Sequence, residues 1–264
     1  MIAWAPIWAV VLRHTRMLRR DANFMLACLY WPLLDVFIWG VLGAWVQQSH
    51  VAEFQNYKIA ALFGVLLWQI IGRGCMYMTF AFTEELMSNN ITNLFTFPLA
   101  ITQWMSGVIV FTSIMLGMTL SSCMLFMYLL YDISLYQALY TLLIFCLPLF
   151  FCCLWVGFTC LQIIILLGKR GIEFSFVVCW TLLPFSGAYY PIEALPAWGQ
   201  KFSTLLPMSY LFQGMRGYVM QHQDPTPYLI KGYVLSIAYA TCAILLFVYC
   251  FNHSKKKGLA RLAD

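Results

Sequence analysis

Apolar residues run almost unbroken through six stretches of the chain, at about 22–46, 58–82, 104–130, 137–167, 172–190 and 228–251, and polar residues collect between them. A helix that crosses a bilayer needs roughly 20 mostly apolar residues, so each run predicts a transmembrane helix. Ahead of the first run the pattern changes. Trp4, Ile7, Trp8, Val11, Thr15 and Leu18 recur at helical spacing, with Arg13, Arg16 and Arg20 on another face. Residues 1–21 therefore read as an interfacial helix lying along one membrane surface. Simple anchoring and specific docking fit that pattern equally well.

Two connections stand apart from ordinary turns. Between the second and third runs, 83–103 is a polar loop from Thr83-Glu84-Glu85 through Asn89, Asn90 and Asn93 to Pro98, with two carboxylates and no Lys or Arg. It reads either as a solvated turn or as a short helix presented to a partner. After the fifth run, PFSGAYYP (184–191) leads into two short amphipathic pieces broken at Pro207. One carries Trp198, Phe202, Leu205 and Leu206, the other Tyr210, Leu211, Gly214, Met215 and Tyr218. Neither can span. Irregular backbone at membrane depth must be covered by protein or line a wet cavity, so 191–218 predicts re-entrant helices at an outer gate; packing on the lipid surface is the simpler reading.

Composition narrows the class further. Of 264 residues, 62% are hydrophobic and 9% charged, with a mean hydropathy of +0.79, whereas about a quarter of residues are charged in soluble domains. No stretch outside the runs approaches the roughly 50 residues of a small soluble domain, so one all-α membrane domain is expected over 1–264. With both termini inside, Arg13, Arg16, Arg19, Arg20, Lys169, Arg170, Lys255, Lys256, Lys257 and Arg261 lie on the inner side, against Lys58, Lys201, Arg216 and Lys231 outside. That bias predicts cytoplasmic termini in the cell (inner) membrane. The net charge of +5 then answers to anionic lipid headgroups, with no need for nucleic acid. The first run is too long for a signal-peptide core and lacks a small-residue cleavage site, so no cleavage is expected.

The chain lacks a GxxxxGK[ST] phosphate loop, HExxH and GxSxG, and no Ser, His and Asp can be nominated as a triad. The ten cysteines fall in apolar runs without CxxC or histidine at ligand spacing; they read as small buried hydrophobes, with a redox pair at Cys152 and Cys153 as the sharper alternative. His14, His50, His222 and His253 lie near or beyond the ends of runs. No metal site and no catalytic residue is expected. Asp35 and Arg73 sit inside the first and second runs, where each charge costs about 2.5–3.5 kcal/mol to insert and faces a partner or a cavity. They form either a structural ion pair or part of a translocation path. Trp45, Trp104 and Tyr131 fall where an interfacial belt is expected, and Trp68, Trp155 and Trp180 fall deeper, packed between helices or lining a path.

The loop EELMSNNITNLFTFPLAITQW (84–104) and the segment SGAYYPIEALPAWGQKFSTLLPMSYLFQGMRG (186–217), set among six runs after a basic amphipathic start, resemble the permease subunits of type-2 ABC exporters. The resemblance implies that Glu84, Glu85, Asn89, Asn90 and Asn93 belong to a coupling helix that docks into a separate ATP-binding subunit. It implies an outer gate that includes Tyr189, Tyr190, Pro191, Glu193, Pro196 and Pro207. ATP and magnesium would then be bound by the partner subunit and no cofactor by this chain. The working unit would pair it with a second copy or a paralogous permease. The cargo class implied is amphipathic: glycan-linked, lipid-like or drug-like. The rival from another class is an ion-coupled transporter or channel using Asp35 and Arg73, though no internal repeat supports it.

Overall fold

The computed structural model describes residues 4–20, 22–48, 57–96 and 98–258. His50 and Arg261, singled out above, lie outside the described residues. The chain order is α1 (Trp4–Arg20), α2 (Ala22–Gln47), α3 (Tyr57–Met87), α4 (Ile91–Leu94), α5 (Ile101–Tyr131), α6 (Leu135–Leu167) and α7 (Arg170–Ser186). A 3-10 turn at Ile192–Ala194, α8 (Ala197–Ser203), α9 (Pro207–Gln221) and α10 (Thr226–Lys257) complete it, and no strand occurs among the described residues.

Among the described residues five helices are long and apolar enough to cross a membrane: α2 from Met25, α3, α5, α6 and α10. The chain is accordingly an integral membrane protein. The run expected to span at 172–190 is helical only over Arg170–Ser186, 17 residues or about 25 Å at 1.5 Å per residue. It stops where Gly187 turns into the left-handed region at φ 74°, after Pro184 has entered the last turn. The helix break expected at Pro207 is present, with Pro207 opening α9, where its missing N–H is no loss.

α3 is the axis of the bundle. It packs against α2, α5, α6, α7 and α9, and nearly every residue from Ala60 to Phe82 is buried. By contrast, α2 and α10 present most of their surface outward, as lipid-facing helices do. Between spans no hydrophobic force separates helix from lipid, so close van der Waals packing and polar contacts hold such a bundle together.

α1 is helical, as the pattern predicts, and it is docked on protein. Ile7, Val10, Val11, His14 and Leu18 are buried, while Trp4 and Trp8 are 73% and 55% exposed. Gly107 of α5 makes the docking possible: a Cβ there would stand 2.7 Å from Val10 Cβ. Trp104, expected in an interfacial belt, is instead buried among Phe82, Phe95 and Phe247. Trp68 packs on Phe212 and Trp155 on Tyr239, whereas Trp180 is exposed. None of the ten cysteines is in a disulfide, Cys152 and Cys153 included.

Candidate functional site

One face of α3 differs from the rest. Gln69, Arg73, Met76, Phe80, Thr83 and Glu84 follow at spacings that keep them within one stripe of a 3.6-residue helix. From Met76 inward the stripe is half-exposed, on a helix otherwise closed off by its neighbours. α5 meets the adjoining side, where the Tyr77 and Thr119 hydroxyls are hydrogen-bonded at 2.6 Å. α6 and α7 take the far side, with Cys75 Sγ 3.5 Å from Cys160 Sγ and the Cys160 thiol donating to Ser175 O of α7. The stripe thus lies on the side of α3 that these neighbours leave partly open.

The polar centre of this face is a three-residue cluster. Gln69 Nε2 donates to Asp35 Oδ2 at 3.3 Å, and Arg73 Nε donates to Gln69 Oε1 at 3.2 Å. Arg73 Nη2 lies 3.6 Å from Asp35 Oδ2, and Nη1 reaches Met76 Sδ at 3.5 Å. Asp35 and Arg73 are therefore brought together as the sequence suggested, but through an amide that it did not single out. Gln69 is the bridge because it offers a donor to the carboxylate and an acceptor to the guanidinium at once. The Arg73 side chain is 8% exposed and that of Asp35 25%, so the carboxylate is the more exposed partner of the pair.

The 83–103 loop sits at the end of the same helix. Glu85 is wholly buried: Arg13 Nη2 donates to its Oε2 at 2.9 Å, Arg13 Nε donates to Oε1, and Asn90 Nδ2 donates to Oε2 at 2.7 Å. It ties α1 to the loop and offers no surface to a partner. Asn90 is half-buried in that tie. Asn89, which takes the left-handed conformation at φ 52° as α3 ends, and Asn93 are exposed, and Glu84 is half-exposed. Short-range pattern gives no hint of the Arg13–Glu85 contact, whose residues are 72 apart.

The segment expected to form an outer gate closes the other end. Tyr189 is buried with its ring 4.2 Å from that of Trp39, and Tyr57 donates its hydroxyl to Tyr189 O at 3.1 Å. Tyr190 donates to Pro184 O at 3.0 Å. Arg216 of α9 donates to Gly187 O at 2.6 Å and lies 3.4 Å from Ala188 O, holding the carbonyls that follow α7. Gly64 of α3 lets that turn approach, since a Cβ there would stand 1.9 Å from Ala188 O. Pro207 is buried, whereas Pro191, Glu193 and Pro196 are exposed.

No group of three or more His, Cys, Asp or Glu among the described residues is placed to hold a metal ion. No family model matches the chain, and no curated protein matches it.

Proposed function

We propose that the chain is the membrane permease subunit of an ATP-driven exporter of the type-2 ABC kind, with hydrolysis supplied by a separate chain. The observation that carries this reading is the continuity of α3. One helix holds the polar loop at one end and the Asp35–Gln69–Arg73 cluster about 18 Å away, since residues 73 and 85 are 12 positions apart. A push on the loop would therefore move that cluster directly, as a hinge-type transition driven by ATP binding requires.

In this reading the termini are cytoplasmic, α7 completes six spans and the turn, α8 and α9 form the re-entrant outer gate. Glu84, Asn89 and Asn93 form the docking face, while Glu85 and Asn90 brace it from within. The exposed side of α2, with Tyr30, Trp31, Phe37 and Ile38, would face a second permease across a path for amphipathic cargo. The quarter-exposed Asp35 carboxylate favours one alternative, an ion-coupled transporter that uses Asp35 and Arg73 as its relay.

The test is purification of the tagged chain from its native membrane in mild detergent, with identification of bound chains and an ATPase assay. An ATP-binding chain in equal amount, with hydrolysis that needs both, supports the exporter. A chain that purifies without one, and moves ions in vesicles, replaces it with the alternative. Glu84→Lys with Asn93→Arg should abolish coupled hydrolysis with the fold intact, because both positions lie outside the core.

A further inference from the structure

We propose that the groove between α1 and the α3–α5 loop binds one anionic phospholipid through its phosphate. The groove encloses about 820 Å³, within the roughly 300–1,000 Å³ of small-ligand sites. Arg13, Arg16 and Arg20 line it, together with apolar walls that include Met17, Leu94 and Leu99, and no carboxylate is among its described lining residues. Arg13 is committed to Glu85. Arg16 and Arg20, four residues apart on the exposed side of α1, have no hydrogen-bond or ion-pair partner among the described residues. Two guanidinium groups without an ion-pair partner among the described residues suit an anion, and their planar forks match a phosphate in two-pronged geometry.

The location selects the source of that phosphate. α1 leaves Trp4 and Trp8 exposed on the helix that carries these arginines, and exposed indoles settle at headgroup depth. The groove therefore opens where lipid phosphates lie, and its apolar walls suit the glycerol and the first methylenes of the chains. An α-helix with side chains is about 10–12 Å across, so 820 Å³ would admit only about two turns of a protein partner. Glu84, Asn89 and Asn93 do not line the groove, so a chain docked on that face leaves it to lipid. The site rests on the membrane character of the chain and not on the exporter reading.

Delipidated protein titrated in detergent with phosphatidylglycerol or phosphatidylcholine of equal chain length, and read by native mass spectrometry, tests this. One phosphatidylglycerol should be retained at a concentration at least about tenfold lower than phosphatidylcholine needs. Arg16→Gln with Arg20→Gln should weaken phosphatidylglycerol about 30-fold, since each basic residue at an anionic surface contributes roughly a factor of five. Phosphatidylcholine should be unaffected, and Arg16→Lys with Arg20→Lys should restore most of the preference. Both side chains are exposed, and unchanged gel filtration and helicity will verify the fold. Equal retention of the two lipids, or a preference that survives the double Gln change, would overturn the proposal. So would a photocrosslinker at position 16 that captures a protein subunit and no lipid in native membranes.

Discussion

Acidification from pH 7 to pH 5.5 should loosen α1 from the bundle by about 1.4 kcal/mol, through His14. That ring is 1% exposed, 5.6 Å from the Phe111 ring, and both its nitrogens lack a hydrogen-bond partner among the described residues. Burial lowers its pKa from 6.5 to about 4; the Glu85 carboxylate opposes the shift and the Arg13 guanidinium adds to it. The docked helix therefore holds the neutral ring, and the undocked helix takes up a proton once the pH drops below 6.5. Docking is fully stable above that value and loses about 1.4 kcal/mol per pH unit until the pH reaches about 4, where the loss totals about 3 kcal/mol. Hydrogen exchange of 4–20 in nanodiscs, corrected for the intrinsic pH dependence of exchange, should report about tenfold more opening at pH 5.5 than at pH 7. His14→Leu removes both the proton site and the unpartnered nitrogens, so its opening should be flat across that range. A tenfold rise that persists in His14→Leu would refute the reasoning.

Glu85→Gln should weaken α1 docking by about 1–2 kcal/mol in the same exchange assay; the loss is held down because the Arg13 side chain is 42% exposed and can return to water. Glu85→Lys should give little folded protein by size-exclusion profile, since it buries a second cation beside Arg13. Neutralising Arg73 alone should cut the yield of folded protein, and exchanging Asp35 with Arg73 should recover much of it, because the Gln69 amide can serve either arrangement once rotated. If the exchanged protein is folded but inactive in transport, the pair belongs to the path. Gly64→Ala should lower thermal stability by about 1–3 kcal/mol, as its methyl would strike the Ala188 carbonyl. Gly117→Ala, with nothing within 4 Å, should be neutral or stabilising.

The sequence makes the helices legible and leaves much of their facing obscure, for a physical reason. Hydrophobic runs mark α2, α3, α5, α6 and α10 to within a few residues, because lipid imposes length and polarity on any spanning segment. A helix apolar all round carries no periodic mark of which side meets protein. Trp104 could thus be read as an interfacial residue when it is buried against α3 and α10, and the enclosure of α3 had no signal at all. Charges were more informative, since Asp35 and Arg73 have few tolerable partners at such depth. Gln69 was missed because an amide costs less to bury and does not announce itself. The amphipathic period of α1 disclosed a helix at an interface, yet Val10 and His14 showed their packing role only once α5 stood opposite them.

The enclosure of α3 also bears on how the protein is made. Its Arg73 reaches the membrane before α6, α7 and α9 have been synthesised, so most of the walls around it do not yet exist. The carboxylate that meets it has already emerged, 38 positions earlier on α2. Insertion of α2 and α3 as a hairpin would let Arg73 enter the bilayer already paired, with the later helices closing around it. Biogenesis by itself would then give a reason for an acid in α2 and a base in α3.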